Sequence, residues 1–116
     1  MREVSFHLPL TFNDGRDAGH IVGDCISALI DRFGGATATD CQGYWKHNGR
    51  LYSEDVKRIT VGIDDDNPQL RLREEEDVLN IALHYAALME QEALYFVYPD
   101  GFASIKFVPR REKVAA

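Results

Sequence analysis

The apolar residues of this chain change period as it runs, and the order of those changes restricts the fold more than any single motif. Val4, Phe6, Leu8, Leu10 and Phe12 alternate with Ser5, His7, Pro9 and Thr11, the period-two pattern of a half-buried strand. Pro9 has no N–H to give to a ladder, so the strand loses a neighbour or bulges there. From Gly19 to Phe33 the period lengthens. Val22, Cys25, Ile26, Leu29, Ile30 and Phe33 recur at helical spacing and form one apolar face. Asp17 is placed to cap that helix, and Gly34 follows its last apolar residue, where a left-handed C-cap glycine belongs. A phosphate-cradling glycine loop precedes a helix and uses its positive end. Gly34 and Gly35 follow one, so they read as a cap.

The pattern then returns to strands. Ala36 to Trp45 carries Thr37, Thr39, Tyr44 and Trp45, residue types that suit a pleated surface. Asn48-Gly49 favours a type I′ hairpin turn, because both central residues need positive φ. Leu51-Tyr52 resumes the pairing, Glu54-Asp55 interrupts it, and Ile59, Val61 and Ile63 line one face of the next strand. Asp64 to Pro68 reads as a solvated loop. Glu74, Glu75, Glu76 and Asp77 are expected to open the second helix, where negative charge suits the dipole. Its apolar residues cover more than one face: Val78, Ala82, Tyr85 and Met89 make a stripe, and Ile81 and Leu88 lie to another side. Leu94–Tyr98, a Pro99-Asp100-Gly101 turn and Phe102–Val108 complete a hairpin.

The element order is therefore β-α-β-β-α-β-β. The economical solution is one antiparallel sheet with two helices packed on one face, a ferredoxin-like α+β fold with an added C-terminal strand. The expected domain is residues 1–109, with 110–116 a disordered basic and apolar tail. Phe33-Gly34-Gly35-Ala36-Thr37, Gln42-Gly43-Tyr44-Trp45, Asn48-Gly49-Arg50 and Glu54 together resemble a family of small bacterial proteins grouped as a domain of unknown function. The resemblance implies this fold and no activity.

With 116 residues, 13 Lys and Arg against 19 Asp and Glu, and a formal net charge of -6, the chain lacks the clustered cations that phosphate backbones require. The basic cluster Arg110, Arg111 and Lys113 falls at the end. Nucleic acid is not an expected partner. No long apolar run suggests a membrane span or signal peptide, so a cytoplasmic protein with Cys25 and Cys41 unpaired is expected.

Chemistry is thinly marked. The four histidines, His7, His20, His47 and His84, lack metal-binding spacing, and no metal or cofactor is expected. Asp64, Asp66 and Glu75 fall at calcium-loop positions one, three and twelve. Pro68 and Gln69 stand where that loop needs an oxygen ligand and a glycine. Nucleophile elbows, Walker loops and dinucleotide fingerprints are absent. The remaining candidates for binding a small ligand or protein partner are His7, Tyr44, Trp45, His47, Arg50, Tyr52 and Glu54, aromatic and bidentate residue types that concentrate where proteins bind. His7 is expected on the open face of the sheet, with Thr37, Thr39 or Tyr44 as possible neighbours. An uncovered sheet face calls for a partner, so a homo-oligomer is expected, joined through Ile81 and Leu88, through Tyr95 and Val97, or both. The main functional expectation is a non-enzymatic binding or regulatory module. The alternatives are a small dimeric α+β-barrel enzyme, and an acidic inhibitor or decoy that occupies a basic site on another protein.

Overall fold

In the computed structural model, residues 1–109 are described. Seven elements follow one another: β1 (Arg2–Pro9), α1 (Gly19–Phe33), β2 (Thr37–His47), β3 (Arg50–Ile63), α2 (Pro68–Leu88), β4 (Ala93–Val97) and β5 (Ala103–Phe107). The expected tail and its basic cluster lie outside the described residues. The five strands form one antiparallel sheet in the order β2-β3-β1-β4-β5. Among the described residues no helix is long and apolar enough to cross a membrane.

The period-two pattern decides which face is closed. Val4 pairs with Val61 and Phe6 with Ile59; partners opposite one another share a face. These residues, with Leu8, Ile63, Leu94 and Phe96, meet Val22, Cys25 and Leu29 of α1 and Val78, Ala82 and Ala86 of α2 in one buried core. Phe6 and Phe96 stack there with ring centroids 6.4 Å apart.

Several local expectations change. Helix α2 starts at Pro68, six residues before Glu74. Asn67 accepts hydrogen bonds from the Gln69 and Leu70 backbone N–H groups at 2.9 and 3.3 Å, and proline holds the first helical position, an arrangement that needs no acidic first turn. The α1 N-cap is Ala18, which has no side-chain cap bond; Asp17 instead accepts from the Gly19 N–H at 2.8 Å. Gly34 ends α1 with φ 87°, its N–H bonded to the Ile30 carbonyl. Strand β3 is continuous through Glu54 and Asp55, because β2 pairs with it residue for residue from Thr37↔Thr60 to His47↔Arg50. Asn48 and Gly49 at the tip have φ 51° and 75°, as a type I′ turn needs.

Ile81 and Leu88 are half-buried and pack against the core. Helix α2 touches α1 as well as the sheet, so a broad apolar face is covered within the chain. An Arg32–Asp77 ion pair at 2.9 Å ties the two helices together.

Candidate functional site

The face of the sheet away from the helices is open, and register places its residues in rows. Thr37, Thr60 and Ser5 form one row, with Val97 paired to Ser5. Thr39, Arg58 and His7 form the next, and Tyr95 leans on His7 with ring centroids 4.9 Å apart. Cys41, Val56 and Pro9 follow, then Gly43 and Glu54, Trp45 and Tyr52, and His47 and Arg50. Beyond the Pro9↔Val56 pair β1 has ended, so the last three rows stand on a two-stranded arm that reaches past the helices.

The expected site residues separate into groups. Trp45 and Tyr52 stack with centroids 5.5 Å apart and nearly parallel rings, and the Arg50 guanidinium sits over the Tyr52 ring at 5.6 Å. His47 and Glu54 share their face. Tyr44 does not: its parity turns it to the opposite side, where its hydroxyl donates to Gln42 Oε1 at 2.6 Å and Gln42 Nε2 donates to Asp55. His7 lies on the open face with Thr37 and Thr39. At a rise of about 3.3 Å per residue, six residues along β3 put it roughly 20 Å from the Trp45–Tyr52 pair. Tyr95 and Val97 are on the open face, as expected.

Two groups on this face titrate away from their ordinary values. Burial raises the Glu54 carboxyl, because a carboxylate partly withdrawn from water favours its neutral form. Burial also lowers His7, and the Arg58 cation lowers it further. Opposite Glu54 stands Gly43, where an added Cβ would lie 3.3 Å from Val56 Cγ2 and 3.9 Å from Glu54 Cγ. Glycine there keeps the space above Glu54 free.

Pattern reading missed Arg58, Ser5, Thr60 and Glu3. They line an open depression of about 420 Å³ between β1, β3 and the β4–β5 turn. The signal was available, since Arg58 and Thr60 alternate with Ile59 and Val61, but only register joins them to Ser5 and His7.

Elsewhere, Asp64, Asp65 and Asp66 bring carboxylate oxygens within 4.8 Å of one another. Asp65 binds the terminal ammonium at 2.8 Å and Arg2 at 3.3 Å. Glu74 accepts from the Asp64 N–H at 2.6 Å, whereas Glu75 lies beside Arg71 at 3.7 Å. The calcium-loop geometry is not formed. Cys25 and Cys41 are free, and burial pushes the Cys25 thiol up to about 12, which leaves it inert.

No family model and no curated protein matches the chain. Solved structures do. The chain is similar to a phage SAM lyase in complex with S-methyl-5′-thioadenosine, with a TM-score of 0.66 and 15% sequence identity over 90% of this chain and 88% of that one. It is also similar to phage SAM lyase in the apo state, with a TM-score of 0.63 and 15% identity over 97% and 91% of the two chains. The shared feature is the α+β fold. The main expectation from sequence, a non-enzymatic module, is corrected here: the solved structures that share this fold are those of an enzyme.

Proposed function

We propose that this chain is an enzyme acting on S-adenosylmethionine, splitting it into S-methyl-5′-thioadenosine and a four-carbon amino-acid fragment. The observation that carries the reading is the likeness to a lyase holding that thioether, over about nine-tenths of both chains. The strand order supports a ferredoxin-like arrangement with β5 added beside β4.

The chemistry of the open face agrees with such a substrate. A sulfonium is a cation without N–H donors, so it is recognised by carboxylates and aromatic faces rather than by directed hydrogen bonds. Glu54 offers a half-buried carboxylate with clear space above it. The stacked Trp45–Tyr52 pair, one row away, offers a flat surface for a purine, and Arg50 and His47 border it. A lyase uses no water. The four-carbon fragment must therefore close through its own carboxylate oxygen, or lose a proton, as the carbon–sulfur bond breaks and its electron pair returns to sulfur. In the closing route an oxygen–carbon bond replaces the carbon–sulfur bond, and the substrate's single net positive charge stays on the ammonium of the lactone. Glu54 would draw the sulfonium into place, and the buried Val56 in the neighbouring row would shield the reacting carbon.

Self-association through the open face belongs to the same reading. Tyr95, Ile105 and Phe107 share that face, and Phe107 is 84% exposed at the sheet edge. A second copy would cover them and wall the site.

Purified protein incubated with S-adenosylmethionine should release S-methyl-5′-thioadenosine, resolved by liquid chromatography with ultraviolet detection. Glu54→Gln should slow release about 100-fold or more, the scale of losing one charged group aimed at the reacting centre. Absence of both product and S-methyl-5′-thioadenosine binding by calorimetry would overturn the assignment.

A further inference from the structure

A substrate of this kind ends in a zwitterion, and the Glu54–Trp45 region has no second charge pair suited to it. Such a pair stands at the other end of the open face. Glu3 of β1 and Arg58 of β3 line the same 420 Å³ depression. They flank the Ser5↔Thr60 pair, since Glu3 is opposite Gly62 and Arg58 is opposite His7. Among the described residues neither makes an ion pair, although Arg2, Arg16, Arg32 and Arg71 all do. Ser5 is only 3% exposed, a hydroxyl set in the floor. Opposite charges held apart across two hydroxyls match an α-amino-acid head: a guanidinium takes the carboxylate, and a carboxylate takes the ammonium.

Resting on the proposed function, we infer that Arg58 and Glu3 form the subsite for the amino-acid end of the substrate, with Ser5 and Thr60 as its hydroxyl floor. The ligand then lies along β3. Glu54 is four residues from Arg58, roughly 13 Å along the strand. The sulfonium, four bonds from the carboxyl carbon, lies on the Val56–Cys41 side of that head, toward Glu54. The adenosine continues toward Trp45 and Tyr52. A single Arg58 contact to one carboxylate oxygen leaves the other free for ring closure. His7, held toward its neutral form beside Arg58, adds no competing cation at neutral pH.

Two stable ligands separate this inference from the reading beneath it. S-adenosylhomocysteine keeps the amino-acid head; S-methyl-5′-thioadenosine lacks it. Arg58→Gln should weaken S-adenosylhomocysteine binding at least about 10-fold, the scale of one lost charge-assisted pair, and leave S-methyl-5′-thioadenosine binding unchanged. Glu3→Gln should show the same selectivity to a lesser degree. In turnover, both changes should raise KM for S-adenosylmethionine more than they lower kcat. Arg58→Lys should restore part of the loss, because it returns the charge on a shorter, differently shaped side chain. If the wild type binds S-methyl-5′-thioadenosine and Arg58→Gln weakens both ligands equally, or neither, the subsite is wrong and the function stands. If the wild type binds neither ligand, both fall.

Discussion

The two faces of β3 are built from alternate residues of one strand, yet they serve opposite ends. Ile59, Val61 and Ile63 are buried against both helices; Glu54, Arg58 and Thr60 stand on the open side, joined there by Ser5 and His7 of β1. The closed face is apolar and filled, and it carries the stability of the fold. The open face holds polar groups apart without pairing them, an arrangement that stability alone does not favour. Such residues have room to bind something else.

That contrast can be broken most strongly from the closed side. Phe6→Ala should cost about 3–5 kcal/mol in urea unfolding, since the ring is wholly buried and stacked on Phe96. Thr60→Ala on the opposite face should change stability by less than about 0.5 kcal/mol. A comparable loss at both positions would mean that the open face also carries the fold.

Gly34→Val tests the turn that hands α1 to β2. Its φ of 87° is unfavourable for a branched residue although nothing crowds the position, so the loss should be about 1–3 kcal/mol and entirely backbone strain. Unchanged unfolding would remove the left-handed cap.

Glu54→Gln sharpens the contrast, because it should slow turnover about 100-fold or more while leaving the fold slightly more stable. The raised carboxyl means that the folded state favours the protonated form. Its stabilising contribution is present below the ordinary value of 4.5 and is lost as pH rises through the higher folded value. At neutral pH the substitution should therefore gain less than about 1 kcal/mol, solvent screening limiting the effect, and the gain should vanish in acid. His7 has the opposite sign. Its lowered value gives a contribution present above 6.5 that fades as pH falls toward the folded value. His7→Gln should flatten stability across that window.

The smallest stability effect is expected at the sheet edge. Ile105→Asp with Phe107→Asp should leave the unfolding midpoint nearly unchanged but shift light-scattering mass toward the monomer. A wild type that is already monomeric at high micromolar concentration would end the oligomer reading.

Local physics was legible in the residues alone. The alternation from Val4 to Leu8, the helical face of Val22, Cys25 and Leu29, and the Asn48-Gly49 and Pro99–Gly101 turns declare their elements, because period and turn chemistry act over a few neighbours. Where α2 begins was harder to read, since four acidic residues suggested a start that Asn67 and Pro68 had already made. Tertiary packing decided what no local rule could. It packed Ile81 and Leu88 against the core by laying α2 beside α1, and parity along the arm turned Tyr44 away from Trp45. It also set Glu3, Ser5, Arg58 and Thr60 around one depression. Residues more than fifty positions apart meet only through strand register, and register is fixed by burying Val4, Phe6, Ile59 and Val61 on the same side.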